Sequence, residues 1–316
     1  MLCINLQTTD PFFNLALEEY YFKKRSEDFF IVGINDPSII IGKHQIANEE
    51  INNQFVIERD IPVIRRISGG GTVYHDRGNV NFTFITTGKP GSQVDFARHT
   101  RPVTDFLNTL KVEARLEGKN DIRTGGLKIS GNAGHVFKDR ALHHGTLLFN
   151  ASLTDLRDSL LLTRGQYISR AVASNRTSVT NLCDLLPDIS TAGELQAELF
   201  RYVMMQLPAS ELYRPDESEA EIIRNLAETK YHSWEWNYGY SPPYRFINRF
   251  RFRERMHCCD LTVKEGRIVT SQITGSVMLE DPGREMKGLR HYFDDFEAYF
   301  RSVFPGEERE LALNFF

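Results

Sequence analysis

Arg65-Arg66-Ile67-Ser68-Gly69-Gly70-Gly71-Thr72-Val73-Tyr74-His75-Asp76 sets two arginines against three consecutive glycines. Glycine has no Cβ, so such a turn takes positive φ and lets the backbone approach a ligand closely. Successive amides in it can converge on an anion, and a guanidinium just ahead of it can pair with phosphate in bidentate fashion. A triple glycine is equally an ordinary hairpin turn, and on this stretch alone both readings stand. The turn Asp76-Arg77-Gly78-Asn79 and the alternating run Val80-Asn81-Phe82-Thr83-Phe84-Ile85 follow. That is strand chemistry, so the glycine loop joins two strands. The phosphate-binding P-loop and the dinucleotide fingerprint both open a helix, and neither fits.

Composition narrows the class. At 316 residues, 41% hydrophobic and 25% charged, the chain suits one large domain and a small one, each able to bury a core. A net charge of −4 argues against nucleic acid as a partner, so phosphate binding must come from local basic groups. Cys3, Cys183, Cys258 and Cys259 have neither metal-ligand spacing nor a disulfide framework, which fits a reducing compartment. No signal peptide is read at the N-terminus, and no apolar run approaches the ~20 residues that span a membrane. The expected location is cytoplasmic, with no membrane partner.

Asp10-Pro11 opens a helix that is read as core packing, with no chemistry assigned. Short strands are predicted at 29–32 and 38–41, and the basic turn Gly42-Lys43-His44-Gln45 follows them. Residues 61–67 and 79–86 are strands on either side of the glycine loop. A helix is predicted over 95–110, starting or kinked at Pro102. A hairpin at 122–129 carries Lys128 on its returning arm, and 141–149 is a further strand. Residues 152–162 read as a short helix and 170–179 as a polar surface loop. Helices are expected at 192–206 and 218–231, the second opened by a Ser218/Glu221 capping box. Residues 233–239 hold both tryptophans ahead of Ser241-Pro242-Pro243, an aromatic knot and stiff linker. Residues 249–263 and 268–274 form a hairpin, and 291–304 a closing helix. Strands joined mostly by tight turns favour a mixed, mostly antiparallel sheet. The predicted class is α+β, with residues 1–243 catalytic and 244–316 a small accessory α/β domain.

Six ordered blocks resemble the lipoate–protein ligase family. They are RRxSGGGxVxHDxGNxNFTF at 65–84, Asn120-Asp121, KxSGxA at 128–133, LHHGTLL at 142–148, VTNLxxLLP at 179–187 and SWEWN at 233–237. The resemblance implies a class II aminoacyl-tRNA synthetase/biotin ligase-like core. It implies that ATP activates lipoate to lipoyl-AMP, and that the lipoyl group then passes to a protein lysine. Acceptors would be lipoyl domains of 2-oxo-acid dehydrogenase complexes or the glycine-cleavage H protein, and octanoate is a possible second acid. Such a reaction needs phosphate neutralisation and in-line positioning rather than a protein nucleophile.

The family motifs carry roles onto these positions. Lys128 is the central catalytic candidate, bridging the acyl oxygen and the α-phosphate. Arg66, Gly71, Thr72, Val73 and Tyr74 are candidates for ATP binding together with Lys128. Gly70, His75, His144 and Lys128 are candidates for lipoate. Two readings stand for His75: a contact in the acyl pocket or a hydrogen bond within the turn. For His143 and His144, on opposite faces of one strand, one lines the tunnel or both simply pack. Asp121 is the candidate for Mg²⁺, against an ordinary turn former. Arg65 is read as facing away and structural, and Asp76 as a turn former. The family pattern is broken at Gly134-His135-Val136. Two alternatives remain: a cysteine-dependent octanoyl or lipoyl transferase of the same fold, and a non-catalytic acyl- or nucleotide-binding regulator.

Overall fold

The computed structural model describes residues 1–88, 91, 93–160, 165–174, 177–207 and 209–316. Three sheets carry the fold. The largest has eight strands. In chain order these are β1 (Leu2–Asn5), β2 (Phe29–Gly33), β6 (Asn79–Thr87), β7 (Arg115–Glu117), β8 (Asp121–Thr124), β9 (Leu127–Phe137), β10 (Arg140–Leu148) and β12 (Glu211–Leu212). Across the sheet they run β12-β1-β2-β6-β10-β9-β8-β7. Only the β12-β1 and β1-β2 pairs are parallel, so the sheet is mixed and mostly antiparallel, as expected. A small sheet holds β4 (Val63–Arg65), β3 (Ser38–Ile41) and β5 (Val73–His75) side by side; the glycine loop joins β4 to β5, and not to the expected strand at 79–86, which is β6 of the large sheet.

Strand alternation decides which side chains go where. On β2, Phe30 and Val32 point to a core shared with α4 (Phe96–Thr109) and α6 (Ala192–Gln206). Phe29 and Ile31 point the other way, toward α1 (Pro11–Lys24) and α7 (Glu217–Leu226). The small sheet repeats the pattern. Ile40 and Val73 join the α1 side, whereas Ile39, Ile41, Val63 and Tyr74 pack beneath it, beside α2 (Ala47–Glu50), α3 (Asn53–Arg59) and α5 (Leu153–Ser159). The gap between the two sheets, floored by α1, becomes the cleft.

The C-terminal residues build a separate cluster. β11 (Gln166–Ile168), β13 (Tyr244–Phe252), β14 (Arg255–Lys264) and β15 (Arg267–Thr274) form an antiparallel sheet. It is covered by α8 (Val277–Glu285), α9 (Phe293–Val303) and α10 (Glu308–Ala312). Residues 166–168 thus cross over to extend a sheet whose other strands lie beyond residue 243.

Several local expectations change. The stretch 249–263 is not one strand: it turns at Arg253 and Glu254, which take φ of 44° and 63° without a glycine to signal it. α4 is capped by Asp95, which accepts from the Arg98 amide, so it starts ahead of Pro102. α7 is capped by Asp216, which accepts from the Glu219 amide, in place of the Ser218/Glu221 box. α5 ends at Ser159, and the last residues of the predicted 152–162 helix, Leu161 and Leu162, lie outside the described residues. No helix among the described residues is long and apolar enough to cross a membrane.

Candidate active site

The cleft encloses about 590 Å³ and is lined from five directions. The glycine loop and β5 contribute Arg66, Gly70, Gly71, Thr72, Val73 and His75; α1 contributes Asn14, Leu15 and Glu18. β6 and β10 contribute Asn81, Thr83, His144 and Thr146, and the β7–β9 arms contribute Glu117, Asp121, Lys128 and Asn132. Ser174 and Thr177 complete it. One end is largely apolar (Leu6, Leu15, Ile31, Ile40 and Val73), and the other carries the charged groups of β7–β9.

Arg66, Gly70, Gly71, Thr72, Val73, His75, Asp121, Lys128 and His144 are therefore brought together as the sequence suggested. Tyr74 is the exception. Its neighbours Val73 and His75 face the cleft, so alternation turns Tyr74 into the opposite core, and its carbonyl is taken by Asn79 Nδ2 at 3.2 Å.

The two arginines divide their work. Arg65 is fully buried, and its guanidinium donates to the carbonyls of Gly42, Lys43, Gln45, Trp236 and Asn237 and to Ser241 Oγ. In return, Trp236 Nε1 donates to the Arg65 carbonyl at 2.6 Å, and the Arg65 amide donates to Asn237 Oδ1. Arg65 is structural, as read, and the SWEWN block is its receptor. Arg66 turns into the cleft wall. It was expected to meet a nucleotide through its charge, but it donates to Ser68 Oγ (2.9 Å) and to the carbonyls of Ile40 (3.0 Å), Gly69 (2.6 Å) and Gly71 (2.7 Å). Four of its five donors are thus engaged, three on the glycine loop and one on β3.

The loop is locked from behind. Gly70 takes φ +88°, a conformation that L side chains rarely adopt. A Cβ on Gly42 would fall 2.1 Å from the Gly70 carbonyl oxygen, which requires glycine in the Gly42-Lys43-His44-Gln45 turn. Gln45 Oε1 accepts from the Gly42 amide and from Thr72 Oγ1. Lys43, the basic member of that turn, is not among the lining residues.

At the polar end, Lys128 Nζ lies 2.8 Å from Asp121 Oδ1, and Arg123 holds Asp121 Oδ2 at 3.0 Å. The Asn120 and Asn132 main chains and amides cross-bond, which fixes the ND block against the KxSGxA block. Lys128 is also anchored through its backbone: its amide donates to Ser178 O and its carbonyl accepts from the Thr180 amide. A Mg²⁺ ion carried by a nucleotide takes one or two carboxylates plus phosphate oxygens. Asp121 and its cross-strand partner Glu117 both line this end and fit such an ion, with Asp121 exchanging one cationic partner. Among the described residues, no group of three or more His, Cys, Asp or Glu forms a metal cage.

Sequence reasoning missed several lining groups. Glu18 sits on the helix given no chemistry. It accepts from Thr83 Oγ1 and from His144 Nδ1, the latter at 2.9 Å. His144 Nε2 lies 2.7 Å from Ser68 Oγ, which continues the chain to Arg66. His143 points into the core, stacked on His99, with its pKa pushed well below the usual imidazole range by burial. His75 is paired through Nδ1 with Asn35 Nδ2 at 3.0 Å, and burial, reinforced by Arg66 and His144, holds its pKa at about 3. It therefore both lines the cleft and makes a hydrogen bond. Loop 170–179 was expected to lie on the surface, yet Ser174 reaches inward. It accepts from the Thr72 amide at 2.8 Å and donates to Glu50 on α2. No helical or strand period marks either Glu18 or Ser174 as special. None of the four cysteines lines the cleft, and burial raises the pKa of Cys3, Cys183 and Cys259.

The chain matches the family model of the lipoyl protein ligase A/B catalytic domain over residues 10–203. It is 36% identical to lipoate–protein ligase 1 of Staphylococcus aureus, covering 93% of this chain and 91% of that protein. It is 38% identical to lipoate-protein ligase LplJ of Bacillus subtilis, covering 86% and 83%. Among solved structures, it resembles a lipoate protein ligase of T. acidophilum with bound lipoic acid. That match has a TM-score of 0.61 and 26% identity, over 74% of this chain and 98% of the other. It also resembles a lipoate-protein ligase A bound with ATP (TM-score 0.62, 27% identity, 75% and 98%). The glycine loop, Lys128 and the β9–β10 blocks all lie within the matched region, and the chain belongs to the lipoate–protein ligase family.

Proposed function

We propose that the cleft activates lipoate with ATP at its polar end and holds the acyl chain along its apolar end. In the first half-reaction a lipoate carboxylate oxygen attacks the α-phosphorus, and the bond from that phosphorus to pyrophosphate breaks. In the second, a deprotonated acceptor lysine attacks the acyl carbon, and the acyl–oxygen bond to AMP breaks. Both steps concentrate negative charge beside the carboxyl group, which is where a fixed cation is most effective. Lys128 supports this role best, because its ammonium is a cation held at the polar end of the cleft, beside Gly131 and 2.8 Å from Asp121.

The other roles follow from position. The Gly70–Thr72 backbone is the phosphate cradle, and Arg66 acts on the nucleotide chiefly by holding that backbone in shape. Asp121 and Glu117 are the residues that would hold a Mg²⁺ ion, which would supply neutralisation of phosphate charge. His75 and His144 line the acyl end. Residues 244–316 are an accessory unit tethered by β11 and by Asn48 Nδ2, which donates to the His291 carbonyl. The acceptor is a lysine on a folded lipoyl domain or on the H protein. A bi-partite ligase of T. acidophilum, similar in fold to this chain, has been studied with its E2 lipoyl domain. A cysteine-thioester transferase is disfavoured, because no thiol reaches the cleft. ATP–pyrophosphate exchange with lipoate as the acid tests this reading: exchange must depend on both ATP and lipoate.

A further inference from the structure

The apolar end of the cleft is not wholly apolar. Asn81 Nδ2 and Oδ1 and His75 Nε2 are buried there without a hydrogen-bond partner. Buried polar groups are normally paired, and an exception calls for a physical reason.

The proton positions can be worked out from the network. Asn14 Nδ2 faces the Thr8 and Ile34 carbonyls, which can only accept, so its amide orientation is fixed. The same nitrogen donates to Asn35 Oδ1 at 2.7 Å. The Asn35 nitrogen must then be the group that donates to His75 Nδ1 at 3.0 Å. A neutral imidazole accepting at Nδ1 carries its proton on Nε2. His75 lines the cleft, 94% of the residue being buried, and that N–H has no partner.

Sheet order gives the position of these donors along the cleft. Asn81 pairs with Thr146 of β10 and with Gly33 of β2. β6 lies two strands from β9, which carries Lys128, about 10 Å at the usual spacing of ~4.8 Å. A carboxylate held at Lys128 therefore sends its tail toward Asn81, with His75 reaching in from the small sheet.

We propose that His75 Nε2–H and the Asn81 amide are the specificity determinants for the acyl tail. They favour a sulfur-bearing ring over a plain hydrocarbon chain of the same cleft. The inference rests on reading this cleft as the acyl site. Divalent sulfur is polarizable and accepts weak hydrogen bonds. A methyl-terminated tail leaves both donors as unpaired as they are in the free cleft, whereas sulfur gives them an acceptor, so the gain falls to the sulfur-bearing acid alone.

The test compares acid-dependent ATP–pyrophosphate exchange for lipoate, octanoate and decanoate, the two fatty acids bracketing the apolar size of lipoate. For the wild type, kcat/KM should favour lipoate over either fatty acid by about tenfold or more. In Asn81→Leu and in His75→Leu the lipoate-to-octanoate ratio should fall at least fivefold, the loss with lipoate exceeding any change with octanoate. A wild-type ratio near one, or a ratio unmoved in both folded variants, overturns the proposal. Should neither variant fold, the wild type decides by Tm without ATP: lipoate must raise it more than decanoate at equal concentration, and an equal rise overturns the inference. Exchange with no acid at all overturns the reading of the cleft itself, a different failure from an unmoved ratio.

Discussion

Ser174 Oγ accepts the backbone N–H of Thr72 at 2.8 Å while donating its own proton to Glu50. The hydroxyl thus sits on one of the amides assigned to phosphate, with a carboxylate behind it. ATP must displace this contact or add to its far side. Ser174→Ala removes a competitor worth about 0.5–1.5 kcal/mol, so the KM for ATP should fall by about threefold to tenfold. A KM that rises instead would make Ser174 part of the nucleotide site.

Arg65 is a buried cation with no carboxylate partner, balanced by five carbonyls and one hydroxyl from three segments. Arg65→Met leaves most of those oxygens without their partner, although Gly42 O keeps the Gln45 amide and Ser241 Oγ the Ala47 amide, and should lower stability by about 3–5 kcal/mol. Trp236→Phe removes only the 2.6 Å bond to the Arg65 carbonyl and should cost about 1 kcal/mol plus lost packing. Urea unfolding ranks the two. A larger loss in Trp236→Phe would show that the aromatic knot, not the guanidinium, holds the turn.

Glu18, His144 and Ser68 line up as carboxylate, imidazole and hydroxyl, the pattern of a serine hydrolase. Ser68 is fully buried, however, and its oxygen is also engaged by Arg66 Nε, so it is not free to attack an acid. Intact-mass spectrometry after incubation with ATP and lipoate, without an acceptor protein, should show no covalent lipoyl adduct. A stable adduct on Ser68 would replace the adenylate mechanism.

Buried histidines set the acid sensitivity. His75 is held near a pKa of about 3 and His291 near about 4, both mainly by burial, against an ordinary value of 6.5. Each stays neutral in the folded chain while the unfolded chain takes up a proton below pH 6.5. Stability is therefore fully present at neutral pH and is lost as pH falls from about 6.5 toward the folded values. Glu49 works in the opposite direction, because burial raises its pKa to about 6. The loss from these three groups between pH 7 and pH 5 should be about 2–3 kcal/mol at the usual ~1.4 kcal/mol per unit, and the depressed His99, His135 and His143 act in the same direction as His75. Urea midpoints that do not move over this range would contradict the neutral assignment on which the His75 tautomer depends.

Much of this was legible in the sequence because it depended on local chemistry. The alternation of residues 80–85 sets β6, the Gly125-Gly126 turn sets the β8–β9 hairpin, and the run into the glycine loop sets β4, whereas β5 went unread. The same alternation rule, applied one residue further, separates Tyr74 from its neighbours. What could not be read came from distant parts of the chain. Glu18 matters only because α1 lies under β10, and Ser174 only because its loop returns to α2. Arg66 looked free for a phosphate because no local pattern shows that three of its donors close the loop it precedes and a fourth ties it to β3. The Arg253-Glu254 turn was hidden because non-glycine residues adopt positive φ there.

The most direct test is lipoate-dependent ATP–pyrophosphate exchange by the wild type and Lys128→Ala, with folding of the variant checked by circular dichroism. Removing one preorganised charge donor should lower exchange by about 10²–10³ while the fold is kept. Wild-type exchange in a folded Lys128→Ala would contradict the assignment of Lys128 and, with it, the polarity of the cleft on which the other roles are built.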